Sequence, residues 1–150
     1  FVFALLAAFA LLSLAVVLVG ARAYRTVNQT ADATNISRTG MSYLVGKVRG
    51  ADAENAVNIL QKDGMDVLAL GATYGEKPYV TYIYCDGSSI REYFSAADVA
   101  FDAAFGEEIL TAKSLAFSLD NRLLTITMVD EDGGEHVSKV SLVCGEGAAQ

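Results

Sequence analysis

Few side chains in this sequence can do chemistry, and they are widely spaced. His136 is the only histidine, and no obvious serine or cysteine nucleophile lies near it. A surface position at the start of a strand is the better interpretation. Catalytic triads, metal-ligand sets and Gly-rich phosphate loops need defined residues at defined spacings, and none is recognisable. We therefore expect no catalytic residue, no cofactor and no metal.

One acidic segment, Asp130–Glu135, raises the question of a calcium loop. An EF-hand loop needs glycine at its sixth position and glutamate at its twelfth. Counted from Asp130, the sixth residue is Glu135 and the twelfth is Ser141, so this segment is not an EF-hand. A hairpin turn with solvated acids is favoured instead.

The two cysteines, Cys85 and Cys144, are too far apart for a zinc or redox motif. Each ends a predicted strand on that strand's apolar side, so both sulfurs are expected on inward faces. In an extracytoplasmic domain one disulfide is a natural pairing, worth roughly 2–4 kcal/mol. Two separate buried thiols are about equally compatible with the sequence.

Charge is distributed unevenly along the chain, whose net charge is −7. Residues 1–50 carry five basic side chains and one acidic one, whereas residues 51–150 carry six basic and seventeen acidic. An acidic head disfavours nucleic acid, whose phosphates require lysine and arginine. An acidic surface that keeps an exported domain soluble explains this pattern more simply than a specific cation partner.

The chain opens on an apolar segment, Phe1–Val19, with no charged side chain and one hydroxyl, that of Ser13. About 20 such residues in a helix span the roughly 30 Å hydrocarbon core of a bilayer. An initiator methionine and a preceding basic segment are both missing, so we expect position 1 to be a processing cut or a boundary set by cloning.

Three interpretations of this start are open. The small residues of Ala21-Arg22-Ala23 could be a signal-peptidase site, although the apolar run exceeds the usual 7–15 residues. A trimmed single-pass anchor is the second. In the third, a prepilin peptidase removes a basic leader just before Phe1. Arg22 and Arg25 would place their side in the cytoplasm by the positive-inside rule, whereas a lost basic leader would place it outside. We favour the third interpretation, in which a basic leader is removed before Phe1.

The helical pattern continues beyond the membrane-length segment. Residues 22–50 contain no proline and repeat apolar residues at three- and four-residue steps, which predicts one helix of about 49 residues. The expected domains are a transmembrane helix at 1–21, an amphipathic helix at 22–50 and a β-rich head at 51–150.

The head alternates apolar and polar residues between short turn signals, which predicts antiparallel strands. Residues 95–105 are alanine-rich and could hold one helical turn or a loop. Four tyrosines, Tyr79, Tyr82, Tyr84 and Tyr93, occupy both faces of one predicted hairpin, so some must be exposed. The expected strands are Val57–Leu60, Val67–Leu70, Tyr79–Cys85, Ile90–Phe94, Ser114–Leu119, Arg122–Val129 and His136–Val143. The fold class is therefore α+β, a long helix followed by a small antiparallel head.

This order of elements resembles type IV pilins and the pseudopilins of type II secretion. The shared plan is an N-terminal Phe1, an apolar helix, its amphipathic continuation and a small β-rich head. Three stretches also resemble an uncharacterised pilin-like family from anaerobic Gram-positive bacteria: Met41–Asp52, Tyr79–Phe94 and Ser114–Val129.

The resemblance implies a non-enzymatic subunit held in the cytoplasmic membrane, with its head outside, and then extracted into a cell-surface filament. Prepilin peptidase, an inner-membrane assembly platform and other pilin-like subunits are the implied partners. The larger side chains of the implied assembly helix are Phe3, Leu5, Leu6, Phe9, Leu12 and Val16.

Two departures from the pilin pattern matter. Pilins usually have glutamate at mature position five, which pairs with a neighbour's α-amine, whereas Leu5 stands here. A proline near position 22 is also missing. Some tip-type pseudopilins lack the glutamate, so a minor or tip subunit is expected. A membrane-anchored extracytoplasmic binding module that does not polymerise is the alternative.

Overall fold

A long helix precedes the sheets. A computed structural model describes residues 1–53 and 56–143, with the backbone alone described for residues 25–36. Helix α1 spans Val2–Gly50, as the pattern without proline predicts. The chain divides into two compact units, Phe1–Ile36 and Ser37–Gln150. The domain boundaries expected at residues 21 and 50 stay predictions, because they mark changes in chemical character.

The described residues of the second unit form eight strands in two antiparallel sheets. In sheet A the strands lie in chain order, and each pairs with the next. In sheet B the order is again sequential. This arrangement confirms the predicted α+β class. Sheet A comprises β1 Val57–Lys62, β2 Met65–Tyr74, β3 Lys77–Cys85, β4 Ser89–Ala96 and β5 Glu107–Thr111. Sheet B comprises β6 Ser114–Asp120, β7 Leu123–Val129 and β8 Glu135–Ser141, and a 3₁₀ turn spans Ala103–Phe105.

Tight turns set the register of these strands. Asp63 and Gly64 join β1 to β2 with φ values of 53° and 78°, in the left-handed region that aspartate tolerates and glycine favours. The resulting register pairs Lys62 with Met65 at the turn and Val57 with Leu70 at the far end. The apolar side chains of both strands therefore share one face.

The main core lies between the last turns of α1 and the two sheets. Leu44 and Val48 are fully buried and pack in one cluster with Leu68 and Ile83 of sheet A and Ile126 of sheet B. Burying each such side chain stabilises the fold by about 1.5–3 kcal/mol. The end of α1 is therefore an integral part of the head.

A smaller cluster lies on the other face of sheet A. Val67, Tyr82 and Tyr84 are buried there beneath Phe101 and Ala103, which belong to the segment between β4 and β5. The Tyr84 hydroxyl donates a hydrogen bond of 2.6 Å to the carbonyl of Ala103. The alanine-rich segment thus covers an apolar face.

One strand was not expected from the sequence. Segment β5 begins with two glutamates, Glu107 and Glu108, both exposed, and only Leu110 of its five residues is buried. A strand at a sheet edge needs few buried side chains, so its apolar signal is weak. Strand β2 also extends beyond the predicted Val67–Leu70, because β3 continues to pair with it as far as Tyr74.

Candidate functional site

The first candidate site is the apolar part of α1. Within the segment Val2–Tyr24, the most apolar stretch of 18 residues has a mean hydropathy of 3.0 and none of it is buried. Among the residues that the structure describes, this is the one helix that is long and apolar enough to cross a membrane. A core helix of a soluble protein would be largely buried, so this helix has the character of a membrane anchor or a signal sequence.

The predicted assembly side chains all lie on the exposed surface of this helix. Their exposed fractions range from 58% at Leu6 to 86% at Phe3, and Phe1 is fully exposed. Ser13 donates its hydroxyl to the Phe9 carbonyl, 2.9 Å away, which satisfies the one side-chain hydroxyl of residues 1–19 within the helix. Residues 1–19 therefore present an apolar surface on all sides. The role assigned to Phe3, Leu5, Leu6, Phe9, Leu12 and Val16 stays a prediction.

A polar cluster attaches one side of α1 to β4. Lys47 Nζ lies 2.7 Å from a carboxylate oxygen of Glu92, and the Tyr43 hydroxyl donates to the other oxygen at 2.6 Å. Partial burial, together with the hydrogen bond to Glu92, raises the pKa of Tyr43. Burial alone would lower the pKa of Lys47, but the hydrogen bonds to Glu92 and Tyr43 raise it overall. Lys47 therefore carries its charge at neutral pH.

This cluster borders a pocket of about 480 Å³ that is acidic and aromatic. Glu107 and Glu108 supply two more carboxylates, and Phe94 and Phe105 are 51% and 68% exposed. Because β5 pairs with β4 only as far as Glu92, the outer backbone edge of β4 beyond that residue has no partner strand in sheet A. The pocket therefore combines negative charge, exposed rings and a free strand edge.

On another side of α1 lies a groove of about 710 Å³, bordered by β8. Arg38 and Arg49 are exposed along it, and Met41, Val45 and Val137 form its apolar part. Strand β8 ends sheet B, and no strand of the described residues pairs with its outer edge. This groove is the second surface feature with a free strand edge.

His136 lies at the second position of β8, where its side chain is 27% exposed and has a partner. Its Nε2 atom lies 2.8 Å from Asp130 Oδ2, and the Ser37 hydroxyl donates to the same oxygen at 3.4 Å. Hydrogen bonds from His136 and from the Gly134 N–H hold the pKa of Asp130 below its usual range. Because Ser37 reaches the carboxylate and not the imidazole, this is not the arrangement of a catalytic triad. It attaches α1 to the turn between β7 and β8.

The acidic loop is closed by its own hydrogen bonds. The Asp130 N–H donates to the carbonyl of Gly134 at 3.0 Å, and the Gly134 N–H donates to the Asp130 carboxylate at 2.7 Å. A hairpin turn is therefore what the segment forms, as the sequence indicates. Among the residues that the structure describes, no group of three or more His, Cys, Asp or Glu side chains is placed to hold a metal ion.

Of the four tyrosines expected to occupy both faces of a hairpin, Tyr79 and Tyr93 are half-buried and therefore partly exposed. Tyr84 and Tyr82 are buried, whereas Tyr74 and Phe94 are 63% and 51% exposed. The Tyr79 and Phe94 rings are stacked with centroids 5.2 Å apart, and Tyr74 meets both rings edge-on. This grouping depends on the register of β2, β3 and β4, which the sequence does not reveal.

Cys85 is buried on the inward face, as its parity predicts. Its sulfur donates a weak hydrogen bond to the Ala112 carbonyl at 3.4 Å, and burial raises its pKa. Cys144 lies outside the described residues, so its pairing with Cys85 stays a prediction.

The comparisons with known proteins identify a family. Residues 35–131 match the model of a family described as a domain of unknown function, DUF4860. That match takes in the head from the end of α1 to the turn after β7. Neither the curated proteins nor the solved structures gave a match. The matched residues make up more than half of the chain, which therefore belongs to the DUF4860 family.

Proposed function

We propose that this protein is a non-catalytic structural subunit of an extracytoplasmic filament of the type IV pilus or pseudopilus kind. One observation supports the proposal most strongly. The helix segment Val2–Tyr24 is apolar and unburied, and α1 ends in the core of a compact β head. Exposed apolar surface of this extent is unfavourable in water, so we expect another apolar environment to cover it.

Two environments can cover it in succession. Lipid covers it while the subunit is a single-pass membrane protein with its head outside. In a filament the same side chains pack against helices of other copies. Covering each large apolar side chain is worth about 1.5–3 kcal/mol relative to water, so the helices hold together without covalent bonds. Prepilin peptidase and a membrane assembly platform are the proposed partners of this step.

Because position 5 is a leucine and not a glutamate, we prefer a minor or tip subunit to a major pilin. Leu5 is 65% exposed and apolar. A glutamate at the same position would need a cationic partner in lipid, because an unpaired carboxylate is costly there. Without that charge, neighbouring copies can align only by the fit of apolar side chains. We expect such a subunit to be incorporated in small numbers.

A variant with a reordered apolar helix tests polymerisation separately from membrane anchoring. Reordering residues 3–16 keeps the composition, and therefore the insertion energy, but changes which side chains share a face. The full-length precursor is produced in cells that carry a prepilin peptidase and an assembly platform. The amounts in sheared surface fibres and in membranes are then compared. A control with Leu5→Ile and Val16→Ile keeps both the face and the apolar character.

We expect the wild type and the control in sheared fibres, and the permuted chain in the membrane alone. Equal amounts of permuted and wild-type protein in the fibres would contradict packing through this helix. If the heads of all variants are displayed outside the cell but no variant leaves the membrane, the alternative is supported. The protein is then a membrane-anchored binding module that does not polymerise.

A further inference from the structure

The two surface features beside α1 are complementary. The acidic pocket is approached by Tyr43 and Lys47, and the basic groove by Arg38, Val45 and Arg49. At 3.6 residues per turn the two sets point about 160° apart around the helix. The head therefore carries the two features on nearly opposite sides of the same helical segment.

Their charges are opposite. Glu107 and Glu108 are exposed in the pocket, and Glu108 is only loosely paired with Arg91, at 4.0 Å. In the groove two guanidinium groups, of Arg38 and Arg49, stand with one carboxylate, that of Glu135. Each feature also has an exposed apolar side chain and a free strand edge. Phe105 is 68% exposed in the pocket and Val137 is 52% exposed in the groove.

We propose that the groove of one copy binds the pocket of a second copy, with β8 beside the free edge of β4. This inference rests on the proposed function, because it names the contact between heads in the same assembly. A contact that joins two different surfaces is heterologous, and it continues from copy to copy when it does not close into a ring. The second copy is the fitting occupant because the chain itself supplies both charges.

Paired cysteines test this contact directly. Full-length chains carrying Val137→Cys and Phe105→Cys are co-produced, both with Cys144→Ser, and membranes and sheared fibres are oxidised. Val99→Cys replaces Phe105→Cys in the control, because Val99 is 46% exposed and lines neither feature. We expect a disulfide-linked dimer at least tenfold more abundant with the Val137 and Phe105 pair than with the control or with either variant alone. Equal yields would overturn the contact.

Charge exchange provides a second test. Arg38→Glu with Arg49→Glu, or Glu107→Lys with Glu108→Lys, should each reduce the Val137–Phe105 crosslink at least fivefold. A chain that carries all four changes should regain most of it, because the two features are again opposite in charge. Lys62→Glu with Lys113→Glu changes the net charge as much as the arginine pair does, at exposed positions outside both features, and should have no effect. A reduction by this control, or no recovery in the fourfold variant, would contradict the proposal.

The outcomes separate this inference from the proposed function. If sheared fibres contain the protein but no crosslink, this contact is refuted and the filament proposal stands. The crosslink in membranes without sheared fibres supports the contact and refutes the filament. If neither forms, both proposals fail.

Discussion

Replacing Asp86 by asparagine tests how the turn between β3 and β4 is held. The carboxylate accepts hydrogen bonds from the N–H groups of Ser88 and Ser89, at 2.9 and 2.8 Å, and from Arg91 Nε at 2.5 Å. Hydrogen bonds to charged groups contribute about 1.5–3 kcal/mol, and solvent weakens those near the surface. Asparagine keeps one acceptor oxygen but no charge. We expect Asp86→Asn to lower the free energy of unfolding by about 1–2 kcal/mol at pH 7.

The loss should depend on pH in a defined direction. The turn N–H groups of Ser88 and Ser89, with Arg91, hold the pKa of Asp86 well below its usual range. The carboxylate therefore stabilises the folded head above the pKa of the unfolded chain, about 3.9. As the pH falls below that value the unfolded state gains a proton first, and the stabilisation is lost. Asparagine does not titrate, so the difference between the two proteins should be constant between about pH 5 and 7 and shrink below about pH 4.

Thermal unfolding of the full-length protein in detergent measures this difference. The chain has no tryptophan and seven tyrosines, so near-UV circular dichroism reports on tyrosine packing in the head. A loss of 1 kcal/mol lowers the Tm of a small domain by about 4–8 °C. The matched control is Asp98→Asn at an exposed position, which should leave the Tm unchanged. If Asp86→Asn melts with the wild type at pH 7, or the difference at pH 3 is as large as at pH 7, the reasoning is wrong.

Three further predictions concern the head. Leu44→Ala should cost about 2–5 kcal/mol in the same assay, because the side chain is fully buried, whereas Leu123→Ala at a 39% exposed position should cost under about 1 kcal/mol. Similar losses would mean that α1 does not pack in the core. Gly106→Ala should lower the Tm, because a Cβ there would displace the Tyr84 ring, whose Cζ would lie 2.8 Å away. An unchanged Tm would refute that packing. With Cys144 changed to serine, Cys85 should react with a thiol reagent at least tenfold faster in denaturant than in buffer, and equal rates would contradict its burial.

The sequence was sufficient for the elements with a strong period. Helix α1 follows from an apolar run and a stretch without proline, and most strands follow from alternation between turn residues. Cys85 was correctly assigned to the inward face by its parity with Ile83. Strand β5 was missed because its two glutamates hide its single buried residue, Leu110.

Features that depend on register could not be predicted. Asp130 and His136 meet only because the turn between β7 and β8 folds His136 back against the carboxylate, which no spacing rule specifies. Tyr74 and Phe94 come together across β2, β3 and β4, far apart in sequence. The acidic pocket and the basic groove likewise join α1 to strands that lie 40 to 100 residues later.

The most direct test of the central claim is the amount of this protein in sheared surface fibres of cells that possess the assembly machinery. Immunogold labelling of those fibres, with the permuted helix as the control, should show wild-type label on the fibres or at their ends and none for the permuted chain. Wild-type protein that remains wholly in the membrane, as a detergent-soluble monomer, would contradict the proposal that α1 is an assembly element.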